Sequence, residues 1–328
     1  MSEPLLSIRG LRVGFRTEHG LAPAVEGVSY SVRQGKTIGI VGESGSGKSV
    51  TNLSILRLIP SPPCEIGAGE ILFEGRDLLK ASQRELRALR GGKIAMIFQD
   101  PMSSLHPLMR ISAQMMELTR LHLGLDKPAA KEHSIAMLRK AGIPDPARIA
   151  DGYPHLLSGG MRQRVMIAMA LSTSPKLLIA DEPTTALDVT IQALILDLIR
   201  RLRDETGTTV VLTTHDLGVV AGMADRVVVM YAGRVFETAP AAELFRNPGN
   251  PYTRALLRSI PDVASTGDGK REKLFQIPGL PPVLTNMNAN ECPFAPRCPD
   301  AKALCREAPP PFVQVGPDHF SLCWEAKA

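Results

Sequence analysis

Residues 37–49 read Thr37-Ile-Gly-Ile-Val41-Gly42-Glu43-Ser44-Gly45-Ser46-Gly47-Lys48-Ser49. The first five form a short apolar run. Val50, Leu53, Leu56 and Leu58 then follow at roughly helical spacing through Ile59. The pattern predicts a strand, a glycine-rich loop and a helix. Gly42 to Ser49 fits G-x-x-x-x-G-K-[ST]. Glycines let backbone N–H groups turn inward and form an anion nest at a helix N-terminus. In that setting Lys48 is placed to neutralise the β- and γ-phosphates of a nucleotide, and the Ser49 hydroxyl to bind Mg²⁺.

Outward from this loop the chain alternates strands with helices, which predicts an α/β fold with a mostly parallel sheet. Residues 8–15 and 28–32 alternate like half-buried strands, and residues 71–73, 94–98, 177–180, 209–213 and 227–230 are further apolar runs. Residues 100–157 read mainly as helix. Ile191, Leu194, Ile195, Leu198 and Leu202 mark one face of a helix closed by Gly207.

The run Leu177-Leu-Ile-Ala180 ends in Asp181-Glu182. A strand buried up to Ala180 delivers both carboxylates to the end of the sheet. Adjacent residues of an extended chain point to opposite sides. Asp181 can therefore serve a hard cation such as Mg²⁺ while Glu182 faces an attacking water as general base. Leu157-Ser158-Gly159-Gly160-Met-Arg-Gln-Arg164 places a serine and two glycines before a helical run, residues 165–171. Ser158 there is either an N-cap or part of a second phosphate nest. Lys48 already serves one γ-phosphate, so a second nest points to a nucleotide bound by another subunit.

These motifs together resemble the nucleotide-binding subunit of an ATP-binding cassette (ABC) transporter. The resemblance covers at least residues 5–245. It implies roles for Gln99 (contact with Mg²⁺ and the attacking water), for Ala186-Leu187-Asp188 as the D-loop, and for His215 as the histidine that meets the γ-phosphate. It implies adenine stacking on Phe15, a position that suits a core strand equally. Residues 96–105, 181–190 and Asn250-Pro-Tyr-Thr253 are similar to the dipeptide/oligopeptide importer ATPases of bacteria, with His106-Pro107 where that group carries Asn-Pro. The implied fold is a cassette of residues 1–245, with antiparallel N-terminal strands and a helical subdomain near 100–160, followed by a C-terminal domain of residues 246–328. The implied activity is ATP hydrolysis driving peptide import. The implied partners are a second ABC ATPase subunit (a paralogue or a second copy), two transmembrane permease subunits and an extracytoplasmic peptide-binding protein, with the chain peripheral on the cytoplasmic face of the inner membrane. Importers of nickel, glutathione or another small solute use similar subunits.

Composition narrows the alternatives. The chain has 328 residues, 44% hydrophobic and 22% charged, which excludes wholesale disorder. The net charge of +5 is mild. With one cassette and no basic run of five or more, a nucleic-acid or ribosome machine is the lesser reading, and no nucleic-acid partner is expected. No apolar run approaches the ~18 residues of a membrane span, and residues 1–10 show no secretory apolar core.

Proline divides the chain: 13 fall in residues 1–239 and 14 in the last 89 positions. Such a tail is expected to form extended segments and turns rather than much helix or central strand, and to need a staple. Residues 263–272 read as a flexible linker. Four of the five cysteines lie in the last 37 residues, spaced Cys292-x5-Cys298-x6-Cys305-x17-Cys323, with Cys64 apart. Sparse cysteine points to a reducing compartment. Four thiolates can hold zinc or an iron–sulfur cluster. Zinc sites favour close C-x2–4-C pairs, and none is present. The resemblance implies a [4Fe–4S] cluster as carried by some importer ATPases; zinc and free thiols are the alternatives. His319 is expected at the surface rather than as a ligand.

Overall fold

The computed structural model describes residues 3–18, 20–100, 104–185, 188–260, 275–282 and 290–326. The expected linker at 263–272 and the D-loop residues Ala186 and Leu187 lie outside them. The chain forms two compact units. One comprises Phe73–Thr213 with Val32–Thr37 and the N-terminal residues to Leu5; the other comprises Leu6–Ser31, Ile38–Leu72 and the chain from Thr214 onward.

In the first unit, strands Ile94–Ile97, Leu177–Asp181 and Thr209–Thr214 pair in parallel, with Ile94 opposite Leu177 and Asp181 opposite Thr213. Leu177–Asp181 and Thr209–Thr214 are buried along their whole length. That is why they read as unbroken apolar runs rather than alternations. Helix Val189–Thr206 starts on Asp188, whose carboxylate accepts from the Ile191 N–H at 2.9 Å. It ends at Gly207, which adopts φ 67°. Its buried face is Ile195, Leu198, Ile199 and Leu202. Leu194, predicted on that face, is 48% exposed. The apolar stripe narrows in the first two turns. Helices Ile111–Leu123, Lys127–Lys140, Pro146–Ala150 and Gly159–Leu171 pack on one another within residues 100–171.

In the second unit, strands Leu6–Thr17 and Gly20–Val32 form an antiparallel sheet with Cys64–Phe73, in the order second, first, third. Separately, Thr37–Val41 pairs in parallel with Arg226–Tyr231. Arg234–Pro240 continues that sheet antiparallel, followed by His319–Leu322 and Phe312–Gly316. The proline-rich tail thus contributes two strands at a sheet edge, where missing N–H donors are tolerated. It also forms helix Pro251–Arg258, whose proline sits at N1, where its missing N–H would be unsatisfied anyway.

Two expectations for the tail are corrected. Its helix and strands are held by an aromatic core of Tyr231, Phe236, Tyr252 and Phe294, all at most 2% exposed, with ring centroids 4.6–6.0 Å apart. Apolar packing of this kind supports helix and strand in a tail whose composition argued for little of either. His319 is not a surface residue. It is 2% exposed, and its Nε2 lies 2.6 Å from the carboxylate of fully buried Glu237. Glu237 also accepts from the Gly249 and Asn250 N–H groups. A buried polar cluster closed among its own members is invisible to composition.

Candidate functional site

The glycine-rich loop runs from the end of strand Thr37–Val41 to helix Lys48–Ile55. Gly47 is the N-cap at φ 97°, a conformation strained for residues bearing a Cβ. At Gly42, a Cβ would lie 2.1 Å from the Met230 carbonyl oxygen. Close backbone packing and a φ of 158° together fix glycine there. Lys48 is 4% exposed, and its Nζ donates to the carbonyls of Gly42 (2.7 Å) and Glu43 (3.1 Å). The ammonium is thereby held inside the loop. The Ser46 hydroxyl is buried without a partner among the described residues. Ser44 and Gly45 are exposed and Ser49 is half-buried at the start of the helix. A buried cation, an unmatched hydroxyl and a helix N-terminus together suit a multiply charged anion.

The same unit carries His215 and Phe15. His215 is exposed, between strand Thr209–Thr214 and helix Leu217–Met223. The turn around it is fixed on both sides. The Asp216 N–H donates to Thr214 Oγ1 at 3.0 Å, and Asp216 caps the helix by accepting from the Gly218 N–H at 2.8 Å. Phe15 is half-buried near the end of strand Leu6–Thr17, compatible with either use foreseen for it.

The carboxylates and the LSGG stretch belong to the other unit. Asp181 is 4% exposed at the strand's end and accepts from the Thr213 hydroxyl. Glu182 leaves the strand at φ 47°, a left-handed conformation uncommon for a non-glycine residue. Its N–H donates to the Thr213 carbonyl at 3.0 Å. Its Oε2 accepts from Thr185 Oγ1 at 2.8 Å and from Gln99 Nε2 at 3.2 Å. Gln99 and Glu182, 83 positions apart, are thus brought together. Both side chains reach solvent, and the Glu182 carboxylate can accept from a water beside the pair.

Helix Gly159–Leu171 begins earlier than the sequence suggested, with both glycines inside its first turn. Ser158 is its N-cap, accepting from the Met161 N–H at 3.4 Å. An open cavity of about 610 Å³ is lined by Ser158, Gly159, Gly160 and Asp188, among others. Two helix N-termini, at Ser158 and Asp188, therefore give onto one hollow that Arg164 also lines, the second end already capped by the Asp188 carboxylate. The capping and phosphate-nest readings of Ser158 are compatible.

Sequence reasoning missed two residues. Gln163, within the LSGGMRQR stretch, is 2% exposed, and its Nε2 donates to the Pro183 carbonyl. It ties the LSGG helix to the turn that carries Glu182. Its place inside the LSGGMRQR motif was the available signal; its burial and its partner appear only in the fold. The second, Arg297, had no sequence signal and is treated below.

Cys292, Cys298, Cys305 and Cys323 all line one small cavity of about 20 Å³, with Phe236, Phe294 and Trp324 around it. The Cys292 N–H donates to the Cys305 carbonyl at 2.8 Å. Burial pushes the Cys292 and Cys323 thiols up, and that of Cys298 to about 11. Among the described residues, no three His, Cys, Asp or Glu side chains are grouped so as to hold a metal ion. Cys64 is buried and stands apart from this cavity.

Comparison with known proteins adds the following. A family model described as "ABC transporter" matches residues 25–185, and one described as "Oligopeptide/dipeptide transporter, C-terminal region" matches residues 236–305. An "AAA domain" model matches residues 151–221. The chain is 49% identical to the oligopeptide transport ATP-binding protein OppD of Bacillus subtilis, covering 98% of this chain and 88% of that one. It is 49% identical to OppD of Salmonella typhimurium (98% and 93% covered) and 46% identical to the dipeptide transport ATP-binding protein DppD of Bacillus subtilis (98% and 95% covered). Among solved structures it resembles a dimeric post-hydrolysis state of the ATP-binding cassette MJ0796 bound to ADP and Pi. The TM-score is 0.65 at 27% identity, covering 72% of this chain and 98% of that one.

Proposed function

The chain belongs to the ATP-binding subunits of oligopeptide and dipeptide ABC transporters, and we propose from that premise which of its residues hydrolyse ATP. The chain is an ATPase subunit that powers peptide import. The reading of its chemistry is carried by one observation: Gln99 and Thr185 both bond Glu182 at the end of the strand that bears Asp181.

Gly42 to Ser49 bind the phosphates, with Lys48 as the cation. Glu182 accepts the proton of the attacking water, and the two donors on its Oε2 orient the carboxylate. Gln99 steadies that water, and His215 meets the γ-phosphate. Ser49, Gln99 and Asp181 are the residues suited to hold Mg²⁺, which when bound spreads the charge developing on the phosphoryl group. Phe15 stacks on the adenine. Ser158, Gly159, Gly160 and Asp188 serve a nucleotide held by the glycine-rich loop of a second ATPase subunit, a paralogue or a second copy of this chain. The solved cassette MJ0796 is dimeric with ADP and Pi bound, which supports pairing with a second ATPase subunit.

The remaining partners are two permease subunits and an extracytoplasmic peptide-binding protein, with this chain on the cytoplasmic face of the inner membrane. Among the described residues no helix is long and apolar enough to cross a membrane. Leu108, Leu121 and Leu156 are 69–80% exposed in or beside the helical stretch, as suits docking there.

The four cysteines hold a [4Fe–4S] cluster with a structural role. Four soft donors around one apolar cavity fit that ligand in kind. The wide spacing Cys292-x5-Cys298-x6-Cys305-x17-Cys323, with no close C-x2–4-C pair, weighs against tetrahedral zinc. Protein purified without oxygen should be brown, with about four iron atoms per chain; colourless protein with one zinc overturns the assignment. The function as a whole is tested in proteoliposomes containing the permeases, with the binding protein outside. ATP enclosed with this subunit should drive peptide accumulation, and Lys48→Ala should abolish it. Uptake that is indifferent to ATP, or to Lys48, refutes it.

A further inference from the structure

The importer-type motif Asn250-Pro-Tyr-Thr253 and the segment around Cys298 remain unused by the chemistry above. Both converge on Glu43, the second residue of the phosphate loop. Arg297 lies between Cys292 and Cys298. Its guanidinium grips the Glu43 carboxylate with both arms, Nη1 to Oε2 at 2.7 Å and Nη2 to Oε1 at 2.9 Å. The Arg297 side chain is 5% exposed and that of Glu43 is 23% exposed. Nη1 also donates to the Tyr231 hydroxyl at 3.2 Å, and Nε to the Pro278 carbonyl at 2.9 Å. From a second direction, the Tyr252 hydroxyl accepts the Glu43 N–H at 3.0 Å. The Glu43 carbonyl in turn accepts from Lys48 Nζ and from the Ser46 N–H. Every polar group of Glu43 is thus committed, and two of the three anchors come from residues beyond the cassette.

The mounting is rigid. Asn250 caps the Tyr252 helix with its Oδ1 and donates through Nδ2 to Phe236, Ser321 and Leu322. Arg297 follows fully buried Phe294 by one short turn, its N–H bonded to the Phe294 carbonyl at 2.9 Å. There is also an electrostatic reason for the clamp. A carboxylate inside a loop built for phosphate repels that phosphate unless its charge is cancelled. A bidentate guanidinium both cancels the charge and turns the carboxylate away.

We propose that Arg297 and Tyr252 are positioning residues for ATP binding: the C-terminal region holds the phosphate loop in its binding shape through Glu43 and neutralises that residue's charge. The proposal rests on Gly42–Ser49 being the ATP-phosphate loop. It goes beyond that reading by making ATP affinity depend on side chains more than 200 positions away.

The test measures ATP binding and steady-state ATPase kinetics on the full-length chain, wild type first. Wild type that binds no ATP defeats the underlying reading rather than this proposal. Given binding by wild type, Arg297→Met should weaken ATP about tenfold, seen as a raised KM with little change in kcat, the signature of lost uniform binding. Arg297→Lys, which keeps the charge but not the fork, should lose about threefold. Adding Glu43→Gln to Arg297→Met should recover most of the affinity, because the uncompensated charge is then gone. A purely structural arginine predicts no such rescue. ATP affinity in Arg297→Met within twofold of wild type, or a double variant as weak as the single, overturns the proposal. If Arg297→Met fails to fold, Arg297→Lys and Tyr252→Phe, which keep the packing, decide: unchanged affinity in both overturns it, and weakened affinity in both supports it.

Discussion

Truncating Phe294 to alanine tests the claim that aromatic packing holds the proline-rich tail. Phe294 is 2% exposed, and its ring meets Tyr231 at 5.3 Å and Tyr252 at 5.2 Å, edge-on in both cases. Phe→Ala at buried sites costs about 3–5 kcal/mol, part transfer and part residual cavity. The two ring pairs account for roughly 0.5–1.5 kcal/mol each. The neighbours cannot easily swing into the space, because the Tyr231 hydroxyl is bonded to Arg297 and the Tyr252 hydroxyl to Glu43. The loss should therefore fall in the upper half of the range. With a urea slope of about 2–3 kcal/mol/M, the unfolding midpoint falls by about 1.3–2.5 M. The chain has a single tryptophan, Trp324, which lines the cysteine cavity and bonds the Ala308 carbonyl at 3.3 Å. Its fluorescence therefore follows this region alone. Phe294→Leu, which refills most of the volume, should recover about half of the loss. A midpoint in Phe294→Ala within about 0.3 M of wild type would refute the reasoning, since no well-packed ring can be removed at so small a cost.

Three further outcomes follow from the geometry. Glu182→Gln should bind ATP with near-normal affinity and lose about 10²–10⁴ in kcat, measured by phosphate release; undiminished turnover removes Glu182 from the role of base. Gln163→Ala leaves the Pro183 carbonyl without its buried donor, a cost of roughly 1–3 kcal/mol, and loosens the turn before Thr185. We expect kcat to drop about tenfold with ATP binding intact, and an unchanged kcat argues that the tie is structural only. Glu74 bonds both Lys176 and Lys93, and these hydrogen bonds hold its carboxyl below the ordinary value. A depressed carboxyl contributes stability above its unfolded value and loses it as pH falls through the folded one. Glu74→Gln should therefore cost up to about 1 kcal/mol at neutral pH. The difference from wild type should vanish in acid below the ordinary carboxylate range. A gap in urea midpoint that persists there contradicts the assignment.

Contiguous chemistry was legible in the sequence. The glycine-rich loop joins a strand to a helix as its eight residues foretold, because a turn of consecutive backbone N–H groups carries its own geometry. The Asp181-Glu182 pair was legible because a buried parallel strand must end where its apolar run ends. The LSGG stretch was legible as a helix start, although the helix begins at Gly159 rather than Val165. Those assignments needed only local backbone rules. Leu194 was misplaced because a helical stripe is bounded by whatever packs on it, and periodicity does not say how far the partner reaches.

Tertiary structure alone decided what lies between distant residues. Glu43 meets Arg297 across 254 positions, and His319 meets Glu237 across 82. Neither pair has a spacing rule, since a buried charge is accepted only when the fold supplies its partner. Four rings from separate segments make the core that organises the tail, while proline content alone argued for little structure. Amino-acid order dictated which backbone stretches could cradle phosphate. Packing determined which side chains hold that cradle still, because burial and partnership are properties of a closed volume rather than of a line.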